Sequence, residues 1–248
     1  MKTENIKYRV GDLTCHGYLA REESSTTDAK KRPAVIVAHA WMGQDQFARD
    51  KADELAKLGY VGFAADIYGE GRTAATAEQA GNLMQPLFLD RKELRRRMVA
   101  AYTEIKNHPE VDPTKISVIG FCFGGLAAIE LFRSGEDLRG AVSFHGVLGS
   151  KLGDITAQLE PPKLPLKGAI LLLHGYKDPM VSQEDLVNIE KEFSTANADW
   201  QLVIHGLAAH AFMNPEVNDT KHGLIYEPVT AKRSWQMMQN FLNEQFNH

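Results

Sequence analysis

Three residues that could share one piece of chemistry occur along the chain in the order Cys122, Asp178, His210. A thiol becomes a nucleophile when it loses its proton, an imidazole can take that proton, and a carboxylate can hold the imidazole in one tautomer and stabilise its charged form. Cys122 lies in Gly120-Phe121-Cys122-Phe123-Gly124-Gly125, where an apolar strand pattern at residues 116–119 gives way to a helical one. A sharp strand-to-helix turn leaves little room for Cβ atoms, so glycines two positions before and two after the turning residue fit it. Such a turn lifts its side chain out at the end of the sheet and aims the first amides of the helix at an anion forming beside it. Taken alone, these residues are equally compatible with a buried structural cysteine.

The surrounding elements must place the three residues together. Residues 6–10 and 14–20 flank Gly11-Asp12 and read as an antiparallel hairpin at one edge. From residue 34 onward strand and helix patterns alternate, as expected for a mainly parallel sheet covered on both faces. Strands are expected at 34–38, 60–65, 115–120, 140–144, 169–173 and 200–204. Helices are expected where Ala48, Ala52, Leu55 and Ala56 recur before Gly59, where Leu94, Met98, Ala101, Tyr102 and Ile105 share a face, and after Cys122. Two more are expected, one behind a Ser182/Asp185 capping box and one from Pro228 with Ala231, Trp235, Met238, Phe241 and Leu242 inward. The segment carrying Pro161, Pro162 and Pro165 reads as a proline-rich loop in a position where a full helix would otherwise be expected. Asp178 follows the strand at 169–173, and His210 the strand at 200–204. The whole is expected to form one α/β domain over residues 1–248.

This order of nucleophile, acid and histidine is that of the α/β-hydrolase arrangement. The chain resembles the dienelactone hydrolase (carboxymethylenebutenolidase-like) family of that superfamily, whose nucleophile is a cysteine in a G-x-C-x-G-G context. The matching pieces are the strand at residue 34, Asp66-Ile67-Tyr68-Gly69, Gly120 to Gly125, Asp178 and His210-Ala211-Phe212. The resemblance implies hydrolysis of a small ester or lactone through an acyl-Cys122, with His210 as base and then acid and Asp178 as its orienter. It also implies an oxyanion hole from the backbone amides of Trp41 and Phe123.

Two departures from the family stand out. Its best-known members carry a glutamate just before the oxyanion-loop residue, which restrains the resting thiol; here that position is Ala40. The thiol is then free to share its proton with His210. Members acting on dienelactone hold its carboxylate with arginines, one of them shortly after the histidine, whereas this chain has Phe212-Met213-Asn214-Pro215. Arg91, Arg95, Arg96 and Arg97 are expected on a solvated helix face. A neutral ester, lactone or thioester is therefore expected to fit at least as well as dienelactone.

Met42, Phe121, His145 and Phe212 are candidate pocket residues, and Met84 and Phe88 suit either a pocket wall or the core. His174 with Asp178 lacks a third ligand, so neither metal nor cofactor is expected. With 44% hydrophobic and 24% charged residues and a net charge of −4 of mixed sign, nothing suggests nucleic acid or membrane as a partner. A small-molecule substrate, a monomer or small homo-oligomer, and a cytoplasmic location are expected. Cys15 and Cys122 are too few for a disulfide framework. Two other readings stand beside hydrolysis. One is a thioesterase or acyltransferase on the same three residues; the other is a non-catalytic ligand-binding protein on a hydrolase scaffold.

Overall fold

A computed structural model describes residues 1–23 and 31–247. In chain order it contains β1 (Lys2–Val10), β2 (Leu13–Arg21), β3 (Arg32–Ala38), α1 (Gln46–Lys57), β4 (Val61–Ala64), α2 (Ala77–Leu89) and α3 (Arg91–Lys106). There follow β5 (Val111–Phe121), α4 (Phe123–Arg133), β6 (Gly140–Phe144), the short pair β7 (Lys151–Leu152) and β8 (Ile155–Thr156), and β9 (Ala169–Gly175). The last elements are α5 (Gln183–Thr195), β10 (Asp199–His205), the short pair β11 (Asn218–Asp219) and β12 (Leu224–Ile225), and α6 (Pro228–Asn247).

Eight strands form one sheet in the order β1-β2-β4-β3-β5-β6-β9-β10. The first two form the expected hairpin, β2 is antiparallel to β4, and every pairing from β4 to β10 is parallel. Alternation along the strands divides the core between the two faces. Ile36, Val118 and Ile170 pack against α3, α4 and α5, and Val35, Ile119 and Leu171 against α1 and α6. The chain runs outward from β3 to β4 and then returns across β3 to β5. This reversal leaves a crevice at the carboxyl ends of β3 and β5, the usual place for a ligand in such a sheet.

Several expectations need correction. Residues 77–89 form α2, opened by Thr76, whose side chain accepts from the amide of Gln79. Gly81 and Pro86 within it interrupt the pattern that would reveal it. The Pro-rich segment is a loop, as read from the sequence, and the short β7–β8 pair precedes it. Trp235 is half-buried, stacked 6.3 Å from Phe144 with the Lys51 ammonium over its ring.

The arginine face of α3 is largely buried. Arg95 donates to Glu130 of α4 at 2.9 and 3.1 Å, and Arg91 lies over the Phe88 ring and donates to Gly149 O. Arg97 caps the carbonyls of Ile67 and Tyr68, and Arg96 alone of the four matches the solvated expectation, paired with Glu93. The buried carboxylate of Glu130 draws in cations that charge alone would assign to solvent.

Candidate active site

Cys122 caps the N-terminus of α4 with φ 56° and ψ −116°. That positive φ is uncommon for a residue with a side chain, and strain of this kind belongs with ligand-binding and reactive sites. The glycines around it are there for space. A Cβ on Gly120 would lie 1.9 Å from the carbonyl oxygen of Gly124, and one on Gly124 would lie 2.0 Å from that of Ala38. The turn leaves the thiol half-buried, beside the amide of Phe123, one of those that a helix start leaves without an internal partner. Trp41 stands across from it on the loop that follows β3.

His210 and Asp178 meet although 32 residues separate them. Asp178 sits just beyond β9, and its Oδ2 accepts from His210 Nδ1 at 2.7 Å while Oδ1 accepts the Met180 amide at 2.9 Å. The main chain of His210 is gripped by the far wall of the site: its amide donates to Gly223 O, and its carbonyl accepts from Ile225. Nδ1 therefore carries the proton in neutral His210, and Nε2 is free for chemistry. Among the described residues Nε2 has no hydrogen-bond partner. Burial disfavours the imidazolium, but the negative charge of Cys122 and the bond to Asp178 outweigh it and push the His210 pKa up to about 10.

His145, expected as a pocket residue, directly follows β6. Its Nδ1 accepts the amide of Cys122 at 3.2 Å, and its ring lies edge-on to His210 at 5.3 Å. Burial first, and the charge of His210 second, push its pKa well below the ordinary histidine value. It stays neutral beside a charged neighbour. Phe212, expected in the pocket wall, is instead fully buried behind the site, edge-on to His145 at 4.9 Å and to His205 at 5.7 Å.

The loop that follows β3 is braced by residues 66–74, whose role no spacing pattern announces. Asp66 is fully buried, and its carboxylate accepts the amides of His16, Gly69 and Gly71, each at 2.8 Å. The loop so shaped presents Tyr68, whose hydroxyl donates to Trp41 O at 2.7 Å, and Ala74, whose amide donates to Met42 O at 2.8 Å. Gly43, at φ 96°, lets the two loops touch, since a Cβ there would lie 2.7 Å from Arg72 O.

A cavity of about 310 Å³ opens onto Cys122 and His210. Trp41, Met42, Phe121, Met84 and His145 all face it, whereas Phe88 belongs to the core. Among the described residues that line it none is lysine or arginine, and Asp45 supplies a carboxylate. Its chemistry suits a neutral, largely apolar ligand.

Sheet order, elbow and strand-end site together define an α/β-hydrolase. The chain belongs to the dienelactone hydrolase family, whose model matches residues 16–246, and is accordingly a hydrolase of carboxylic esters or lactones. A solved structure titled m3DLH is 36% identical, with a TM-score of 0.87 and coverage of 99% of this chain and 98% of that one. A dienelactone hydrolase-like promiscuous phosphotriesterase, P91, from metagenomic libraries is 32% identical, with a TM-score of 0.88 over the same shares. A carboxymethylenebutenolidase-like protein of Aquifex aeolicus is 28% identical over 241 residues, 95% of this chain and 96% of its own.

Proposed function

We propose that the protein hydrolyses small neutral esters or lactones through an acyl-Cys122 intermediate. The observation that carries the reading is the convergence of Cys122, the Nε2 of His210 and an apolar cavity without a lysine or arginine among its described lining residues. With His210 protonated, the Cys122 thiolate attacks the carbonyl carbon, and the carbonyl oxygen becomes an oxyanion held by the amides of Phe123 and Trp41. Collapse breaks the ester C–O bond, and His210 Nε2 gives its proton to the departing alkoxide. Neutral His210 then takes a proton from water as hydroxide adds to the thioester carbon. Collapse of that second oxyanion releases the acid and restores the thiolate–imidazolium pair. Asp178 keeps Nδ1 as donor throughout and stabilises each imidazolium.

The absence of an arginine shortly after His210 supports the same substrate preference. A carboxylated ester would meet Asp45 and, apart from His210, which is already paired with Asp178, no cation among the described lining residues. The expected result is a kcat/KM at least about tenfold higher for p-nitrophenyl butyrate than for the p-nitrophenyl monoester of succinate, since one charge poorly compensated in an apolar site costs more than about 1.4 kcal/mol. A preference for the succinate would overturn the assignment of substrate class. A second reading is favoured by the relative described as a promiscuous phosphotriesterase: a neutral phosphotriester suits the same cavity and the same thiol. Its turnover should vanish with Cys122→Ala. A cytoplasmic setting would keep such a thiol reduced, and among the described residues no helix is long and apolar enough to cross a membrane.

A further inference from the structure

His39 directly follows β3, is fully buried, and has no part in the proton transfers above. Its two ring nitrogens have partners whose roles are fixed. The Ile67 amide can only donate, and it lies 3.2 Å from Nε2, so Nε2 is the bare nitrogen. Nδ1 therefore carries the proton and donates to the carbonyl oxygen of Ala40 at 2.7 Å. That oxygen accepts a second bond from the Gly43 amide at 3.2 Å.

The Ala40 carbonyl belongs to the same planar peptide as the Trp41 amide. In a trans peptide the C=O and N–H point in opposite directions, so holding the oxygen aims the N–H. A carbonyl that accepts hydrogen bonds also polarises its peptide, which strengthens the N–H as a donor. On the far side of Trp41, Tyr68 holds the next carbonyl at 2.7 Å. The Tyr68 ring contacts His39 edge-on at 4.7 Å and stacks on Phe123 at 5.9 Å. One aromatic side chain thus contacts both His39 and the residue that carries the second oxyanion amide.

We propose that His39 is a positioning residue for the oxyanion hole, which aims and polarises the Trp41 amide through its Nδ1–H bond to the Ala40 carbonyl, with Tyr68 as its brace. The inference rests on the thiol-hydrolase reading above. Asparagine can place an amide N–H near the position of Nδ1, whereas glutamine reaches toward Nε2 and loses the donor to Ala40.

The test measures p-nitrophenyl acetate turnover and iodoacetamide alkylation of Cys122 in wild type, His39→Gln, His39→Asn and Tyr68→Phe. Alkylation takes place at a saturated carbon and forms no oxyanion, so it reports the thiol, His210 and the fold independently of the hole. His39→Gln is expected to lose about a hundredfold in both kcat and kcat/KM, the scale of one misplaced oxyanion donor. His39→Asn should recover about tenfold of that loss and Tyr68→Phe should lose about fivefold, with alkylation within about twofold throughout. Equal losses in the asparagine and glutamine forms, or alkylation that falls in step with kcat, would reduce His39 to a packing role. Should His39→Gln fail to fold, the other two variants decide: lower kcat with intact alkylation supports the proposal, and unchanged kcat overturns it. Failure of the underlying reading looks different, because wild-type Cys122 would then take no acyl group from the ester at all.

Discussion

Two buried ionic groups lie along α4, and they are finished differently. Within the helix, Glu130 accepts from Arg95 and Arg133, and Arg133 continues to Glu192 of α5 at 2.6 and 2.7 Å. Arg95 also donates to backbone carbonyls, from Nη2 to Glu160 and from Nη1 to Pro161. That network closes on itself and pins α3, α5 and the Pro-rich segment to α4. At the helix N-terminus, His210 and Asp178 are equally removed from water and Cys122 is half-buried, yet the Nε2 atoms of His210 and His145 have no partner among the described residues. A closed network rigidifies, whereas an open one beside a cavity keeps its free nitrogen available to the thiol and to substrate. Arg91 stands between the two cases. Two of its nitrogens lack partners, and burial lowers its pKa to about 10.

The sharpest way to break this contrast is to damage each network in turn. Asp178→Asn should lower kcat by about a thousandfold or more, because the wrong tautomer of His210 becomes available, while thermal stability changes little. Glu130→Gln should do the reverse. It leaves buried guanidinium groups uncompensated and should cost about 3–5 kcal/mol in urea unfolding, with kcat within about twofold. If both variants lost activity and stability together, the division of labour would be wrong.

A smaller effect lies in the pH dependence of stability. The His210 pKa is raised from its ordinary value to about 10 on folding. Its contribution is therefore fully present below the unfolded value of about 6.5 and is lost as pH rises toward 10. Between those limits wild type should lose more stability than His210→Gln, which has no imidazole to titrate there. Parallel Tm curves for the two proteins would remove the raised His210 pKa from the account.

How much of this was legible in the sequence depended on whether a residue acts through local geometry. The glycines at 120 and 124 were readable because the turn at Cys122 forbids any Cβ there. Asp178 and His210 were readable because parallel strands deliver their following loops to one end of the sheet. Arg91 and Arg95 misled, since a charge on an amphipathic helix is assigned to water unless its partner is known. The clue was Glu130, a lone acid in a helix otherwise apolar up to Arg133. Helix α2 was hidden by Gly81 and Pro86, and Phe212 was misplaced because adjacency to His210 along the chain does not set which way a side chain turns. The bracing of Trp41 by His39 and Tyr68 depends on two loops meeting across the sheet, and no local pattern encodes that approach.

The central claim is that Cys122 is the nucleophile. Its most direct measurement is intact-mass and peptide analysis of protein quenched in acid during p-nitrophenyl acetate turnover, run beside Cys122→Ala. One acetyl group on Cys122, with no adduct and no turnover in the variant, is the predicted result. Turnover that persists in Cys122→Ala, or an acetyl group on any other residue, would contradict it.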